Sequence, residues 1–504
     1  MPAVSESKPE STDARPHEHR RTKVRARRLR PVRTASGEVR VDAEPVRRRW
    51  WIGASTALVV LLVALGALQW RYDWVDSLPH STVTRAAIAI PIQPAGRPVA
   101  AAAPAAPIDE AAVAAALRPL LRSEGPLGRH VDVLVTGLSG AAAFRSGTGP
   151  ITPASTLKLL TATAALQALG PQARFTTTVR RSGPSTIVLV GGGDPYLATR
   201  PSSKAGYPSR ATLTDLAAQT AAYLKAHHRR SIRLDYDASL FTGPDLQSTW
   251  EAGYFPSGVI APISALWVNE GHFEDGNVSA DPAATAAQVF AALLRTKGIV
   301  VANVPSQAIA APSAATIASV TSAPLVEELS ATLTESDNFA AEVIARHVAL
   351  ATGHPASFEG AVSGIKQTLR SLGIPIAGLV MHDGSGLSRH DRLEPATLAA
   401  ILRLAARRPR LSGLVTDLPV AGFDGSLLAR FGKTGSNALG LVRAKTGTLT
   451  GVHAMAGFAV DATGTPLIFV ALADKVSPPQ TLDARDLLDH IAAALTTCAC
   501  SAKP

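Results

Sequence analysis

Twenty consecutive residues without a charged side chain, Trp51 to Trp70, follow directly behind Arg47-Arg48-Arg49. As a helix rising 1.5 Å per residue, such a run is about 30 Å long, the thickness of a bilayer's hydrocarbon core. In hydrocarbon only a helix satisfies its own backbone groups within one segment, so this stretch predicts a single transmembrane helix over 50–70. Trp50, Trp51 and Trp70 stand where interfacial aromatics belong, and the arginines mark the cytoplasmic side. Ala64-Leu65-Gly66 resembles a small-residue cleavage site. A secreted, cleaved form is therefore the alternative, although the apolar core is longer than a signal peptide's usual 7–15 residues. Either way the bulk of the chain is expected outside the cytoplasm, on a membrane or released from it.

The formal net charge of +11 invites a nucleic-acid reading, and its location removes it. Residues 1–49 hold 14 Lys/Arg against 7 Asp/Glu; the rest of the chain is net +4. The basic signal belongs to a cytoplasmic tail read as disordered, with anionic lipid as its natural neighbour. Residues 71–107, rich in Ala and Pro, read as a tether. Two cysteines, Cys498 and Cys500, lie in the last seven residues, free or oxidised to another chain. They exclude a disulfide scaffold and a cysteine-based metal or thiol centre. The 13 histidines show no H-E-x-x-H or other ligand spacing, so neither metal nor cofactor is expected.

Folded material is predicted from Ile108. IDEAAVAAALRPLLR has helical apolar spacing with Asp109 and Glu110 at its start; Val131–Val135 and Ala141–Phe144 read as a hairpin. A helix beside antiparallel strands points to an α+β sheet covered by helices.

Chemistry is concentrated in three short motifs. Ser155-Thr156-Leu157-Lys158 opens a strongly apolar helix that ends at Gly170, with Pro153 suited to its first turn. One helical turn places the Lys158 amine beside the Ser155 hydroxyl, and the helix end favours negative charge there. A lysine with its ordinary pKa near 10.4 is protonated at neutral pH, so it acts as a base only if its surroundings lower that value. Ser-x-x-Lys alone is weak: Ser5–Lys8 and Ser363–Lys366 repeat it, the first in the tail, the second on an amphipathic helix face. Ser336-Asp337-Asn338 sits at the entrance of another helix, FAAEVIARHVAL. Lys445-Thr446-Gly447 precedes two strand-like runs, whereas Lys433-Thr434-Gly435 has none and reads as a loop. Gly191-Gly192-Gly193-Asp194-Pro195 lacks a phosphate loop's Lys-Ser/Thr ending and reads as a turn. No G-x-S-x-G elbow is present; Gly137-Leu138-Ser139-Gly140-Ala141 fails at its last position.

In this order the motifs match the serine β-lactamase and penicillin-binding protein set. From about 108 to 495 the chain resembles the D-alanyl-D-alanine carboxypeptidase/endopeptidase family of class C, low-molecular-mass penicillin-binding proteins (peptidase S13). The phrases TPASTLKLLT, LVGGGDP, APISAL, ESDNFAAE, DGSGLSR, LPVAGFDGSL and AKTGTLTGV carry the likeness. The resemblance implies a transpeptidase-like catalytic domain in two parts, 108–171 and 323–497, and a tail over 498–504. The separation of 181 positions from Ser155 to Ser336 implies an inserted region, expected to be mostly β, over 172–322.

The same resemblance implies roles. Ser155 is the acylated nucleophile and Lys158 its base; Ser336 relays a proton and Asn338 orients substrate and Lys158. Lys445 supplies a cation for the substrate carboxylate and, by repulsion, keeps Lys158 neutral. Thr446 bonds that carboxylate, Gly447 lets substrate lie against the strand, and the Thr448 N–H joins that of Ser155 in an oxyanion hole. Arg389 contacts the stem peptide's diamino-acid side chain, with Glu251 the only acidic candidate near its amino end. The implied partners are peptidoglycan stem peptides, with β-lactams as covalent inhibitors. A serine β-lactamase and a non-enzymatic penicillin or muropeptide receptor share the motifs and are the rival readings.

Overall fold

The computed structural model describes residues 107–121, 125–202, 206–432 and 435–501. The basic tail, the span expected over 50–70 and all but the last residue of the tether lie outside them. Among the described residues no helix is long and apolar enough to cross a membrane.

Helix α1 (Glu110–Leu117), capped by Asp109, precedes strands β1 (Val131–Gly137) and β2 (Ala142–Ser146). A single 3-10 turn, Ala154–Leu157, leads into α2 (Lys158–Ala168). The insertion follows with β3 (Thr176–Arg181), β4 (Thr186–Val190), α3 (Leu213–Ala226), β5 (Ser231–Asp237), α4 (Pro282–Thr296), β6 (Val300–Val301) and β7 (Ala315–Thr321). The chain then returns through α5 (Leu325–Thr334), α6 (Asn338–Ala351), α7 (Phe358–Ser371) and α8 (Pro395–Ala405). It closes with β8 (Val442–Leu449), β9 (Val452–Val460), β10 (Pro466–Ala473) and α9 (Thr481–Thr497).

The first and last parts build one antiparallel sheet, order β2-β1-β10-β9-β8. Its three central strands, β1, β10 and β9, are buried along nearly their whole length because both faces are covered. Along β10, Leu467, Phe469 and Ala471 join α1 and α9 in one core, while Ile468, Val470 and Leu472 join α2, α7 and α8 in another. Side chains alternating across a strand make this two-sided burial possible. Phe469 is fully buried, so its truncation to Ala is expected to cost about 3–5 kcal/mol. The α+β architecture expected from the sequence is thus present.

The insertion corrects one expectation. It is a mixed α/β unit, not a mostly-β one: a five-stranded sheet, order β6-β5-β4-β3-β7, with two long helices packed on it. The pairs β4–β5 and β5–β6 are parallel, and parallel neighbours need a crossover, which α3 and α4 supply. Thr212 and Asp281 cap these helices by accepting from Asp215 N and Ala284 N. The mostly-β expectation rests on β3 and β4, the antiparallel pair at the start of the insertion.

The C-terminal end departs as well. Cys498 and Cys500 are joined to each other, not free or paired with another chain. The segment folds back on the sheet: Asp109 N donates to Cys500 O, and Ser501 donates to Asp461 Oδ2.

Candidate active site

The serine occupies the 3-10 turn, and α2 begins only at Lys158, one turn later than the sequence suggests. Pro153 precedes the turn, and Ala154 holds a left-handed φ of 46°, uncommon for a residue with a Cβ. Gly386 presses against this bend, where a Cβ would fall 2.0 Å from Ala154 O. Ser155 is left half-buried, with its neighbours fully buried.

Lys158 is 1% exposed, and its amine has three partners. Nζ lies 3.0 Å from Ser155 Oγ, 2.7 Å from Asn338 Oδ1 and 2.8 Å from Ser385 O. An ammonium would use all three N–H bonds here. A neutral amine has two, which match the two carbonyl acceptors and leave its lone pair directed at the Ser155 hydroxyl. Burial lowers the Lys158 pKa to about 8, against the opposing charges of Asp337, Asp383 and Glu342.

The Ser-Asp-Asn triplet enters α6 as the sequence predicts. Asp337 caps the helix through Ala340 N, while Glu335 is exposed. Asn338 donates from Nδ2 to Val259 O, which fixes its amide so that Oδ1 faces Lys158. Ser336 sits at φ 61° in the left-handed region.

Lys445-Thr446-Gly447 lies within β8, at the outer edge of the sheet. The edge is covered at its start, where Ala421 N donates to Val442 O and Ala444 N to Pro419 O. The strand's later half passes the nucleophile turn: a Cβ on Gly447 would lie 2.9 Å from both Pro153 O and Ser155 N. The missing side chain therefore makes room for the nucleophile's own backbone. Lys445 is fully buried, and burial first, then the charge of Lys158, lowers its pKa well below the usual lysine value. Repulsion from Lys158 adds to burial at Lys445, and burial is the leading cause of the lowered value at Lys158. Thr446 donates to Ser426 Oγ at 2.7 Å, and Thr448 is exposed.

Several contributors carry no sequence signal of their own. Glu342, on α6 one turn beyond Asn338, accepts from Gly384 N (3.0 Å) and Ser385 N (2.8 Å). Helix α6 therefore presents one acceptor to Lys158 directly and holds the other, Ser385 O, through Glu342. The i, i+4 spacing of Asn338 and Glu342 is the available clue. Asp383 accepts from Gly386 N, Ser388 N and Trp250 Nε1, each at 2.7 Å, tying the insertion to this loop. Arg389 stands 3.5 Å from Glu251, with Tyr254 beside them.

The decoys stay apart. Ser363 is exposed on α7, and Gly435 precedes a 3-10 turn rather than a strand; Lys433 and Thr434 lie outside the described residues. Gly193 is a turn whose carbonyl lies 2.8 Å from His347 Nε2. Among the described residues no group of three or more His, Cys, Asp or Glu is placed to hold a metal.

Known proteins with this arrangement are readily found. Residues 127–279 and 276–495 match the D-Ala-D-Ala carboxypeptidase 3 (S13) family. The carboxypeptidase DacB of Mycolicibacterium smegmatis is 37% identical over 89% of this chain and 96% of its own length. A carboxypeptidase of Mycobacterium tuberculosis is 34% identical over 78% of this chain and 85% of its own. The crystal structure of penicillin binding protein 4 from Haemophilus influenzae superposes with a TM-score of 0.63, covering 75% of this chain and 98% of that one at 22% identity, a likeness of fold. On the match over both halves of the catalytic domain and on these two relatives, the chain belongs to the D-Ala-D-Ala carboxypeptidase 3 (S13) family.

Proposed function

We propose that the protein is a penicillin-sensitive serine D,D-peptidase that hydrolyses the D-Ala-D-Ala bond of peptidoglycan stem peptides. The single observation that carries this reading is the buried Lys158 amine, held between two carbonyl acceptors with Ser155 Oγ at 3.0 Å. The same chemistry applied to D-Ala–diamino acid cross-links would make it an endopeptidase as well.

In the proposed sequence the Ser155 proton moves to neutral Lys158 as Oγ bonds to the substrate carbonyl carbon. The N–H groups of Ser155 and Thr448 receive the developing oxyanion. The C–N bond breaks, a proton passes through Ser336 to the leaving amine, and D-alanine departs. Water then attacks the acyl-enzyme carbonyl with Lys158 again taking the proton; the bond from that carbon to Ser155 Oγ breaks and Lys158 returns the proton to Oγ. The substrate's terminal carboxylate approaches Lys445 and the Thr446 hydroxyl, and its negative charge favours the protonated form of Lys445. Asn338 holds Lys158 and the substrate amide. Glu251 beside Arg389 supplies opposite charges suited to the two ends of a diamino-acid side chain. A penicillin forms the same ester but keeps its leaving group attached, so the site stays blocked. We further propose that the segment 50–70 anchors the chain in the bacterial cell membrane with the catalytic domain outside; the arginines before the uncharged run support this.

The test is release of D-alanine from a pentapeptide ending in D-Ala-D-Ala. The wild-type chain and Ser363→Ala should release it, and Ser155→Ala should not. Equal release by wild type and Ser155→Ala would reject the reading.

A further inference from the structure

Between the irregular segment after β5 and the start of α4 lies a cavity of about 570 Å³, lined in part by Asp245, Asp281, Gln307 and Arg346. Ser155, Lys158, Asn338 and Lys445 are not among its lining residues. Its volume falls in the range of small-molecule sites.

Arg346 belongs to α6, two turns beyond Asn338, and is 1% exposed. One nitrogen, Nη2, donates to Pro244 O, and the guanidinium lies 3.9 Å from the centre of the Phe358 ring. Nε and Nη1 are buried without a hydrogen-bond partner, and among the described residues no carboxylate stands within ion-pair distance of the group. Burial lowers its pKa to about 10 against the charges of Glu342, Glu359 and Asp245, which leaves it charged at neutral pH. A buried cation with unused donors calls for an acceptor-rich anion.

The rest of the lining limits which anion fits. Asp245 and Asp281 are exposed at the cavity and carry negative charge, which disfavours a phosphate or other multivalent anion. A bare cation is disfavoured by Arg346. One ligand class answers both signs at once.

We propose that this cavity binds a small zwitterion of the α-amino-acid type, its carboxylate on Arg346 and its ammonium facing Asp245 and Asp281. The choice of D-alanine as probe rests on the peptidase reading, since that reaction releases it; the site itself does not.

The experiment uses the full chain, first acylated with benzylpenicillin so that the Ser155 site is occupied. Failure to acylate would count against the peptidase reading alone, and the cavity would then be titrated on the Ser155→Ala chain. Calorimetric titration of the blocked protein with D-alanine should show saturable binding at one site, with acetate and methylammonium at least about tenfold weaker. Arg346→Gln should abolish it. Because that change empties a buried position, the double variant Asp245→Asn, Asp281→Asn gives the second arm; Asn still caps α4. It should weaken D-alanine about tenfold and bring acetate level with it. No saturable binding up to about 100 mM, acetate as tight as D-alanine on the wild type, or D-alanine binding unchanged in the double variant would each overturn the proposal.

Discussion

At Lys158 a buried amine gives a pH dependence whose sign is fixed by its environment. Its pKa is lowered to about 8 by burial, so the neutral, basic form grows as pH rises through 8. Penicillin acylation should therefore rise with pH along a limb half-complete near 8. The same shift acts on stability. Between pH 8 and the unfolded value of 10.5 the unfolded chain holds the extra proton, so this group's destabilising contribution shrinks as pH rises across that window. Glu342 bears on both. Its pKa is raised to about 7 by burial, with Asp383 adding to the shift, so above pH 7 it is charged and holds Ser385 N. Glu342→Gln should slow acylation about tenfold by loosening Ser385 O, and should also move the acylation limb to lower pH, because a charge that raises the Lys158 pKa is gone. Stopped-flow acylation from pH 6 to 10 reads both effects. A slower rate with an unmoved limb would mean that Glu342 only supports the fold.

The nucleophile turn, the α6 entrance and β8 are each bent or stripped at one residue so that they meet. Ser336 holds φ 61°, a conformation that costs a residue with a Cβ about 1–2 kcal/mol and costs glycine nothing. Ser336→Gly should raise stability by about 1 kcal/mol while lowering D-alanine release about a hundredfold through loss of the proton relay. Thermal unfolding and the pentapeptide assay measure the two, and unchanged release would remove Ser336 from the mechanism. Gly447→Ala should lower both, costing about 1–3 kcal/mol and removing acylation, because its Cβ would meet the backbone of Pro153 and Ser155. Much of this was legible in sequence. Periodicity gave α1, α2 and α6, and Ser155, Lys158, Asn338 and Lys445 meet where the motifs implied. What stayed hidden depends on tertiary approach. Gly386 and Gly447 approach the 3-10 turn from chain segments distant in sequence, and Glu342 matters only because Gly384 and Ser385 arrive from elsewhere. The insertion's helices carry cap residues at Thr212 and Asp281, and the expectation built on the two leading strands alone did not include them.

Across the molecule, the insertion meets the catalytic domain around buried acids as well as apolar side chains. Glu328 on α5 is fully buried, and neither carboxylate oxygen has a hydrogen-bond partner. Burial and the neighbouring Asp194 raise its pKa to about 9, with the Ser322 hydroxyl and then Arg174 opposing and Glu327 adding. A carboxyl raised on folding contributes fully below its unfolded pKa and loses that contribution as pH climbs toward 9. Glu328→Gln should therefore raise stability at pH 8 by up to about 5 kcal/mol and leave it little changed at pH 4. Denaturant melts at the two pH values test this, and equal gains at both would contradict it. The proposed activity as a whole turns on one covalent bond, the ester expected at Ser155. The full chain should be treated with a fluorescent penicillin, digested and mapped by mass spectrometry while loss of label is timed. A long-lived adduct on Ser155, absent from Lys158→Ala and unaffected by Ser363→Ala, is the expected result. An adduct on another residue, none on folded protein, or label lost within seconds as in a β-lactamase would contradict the account.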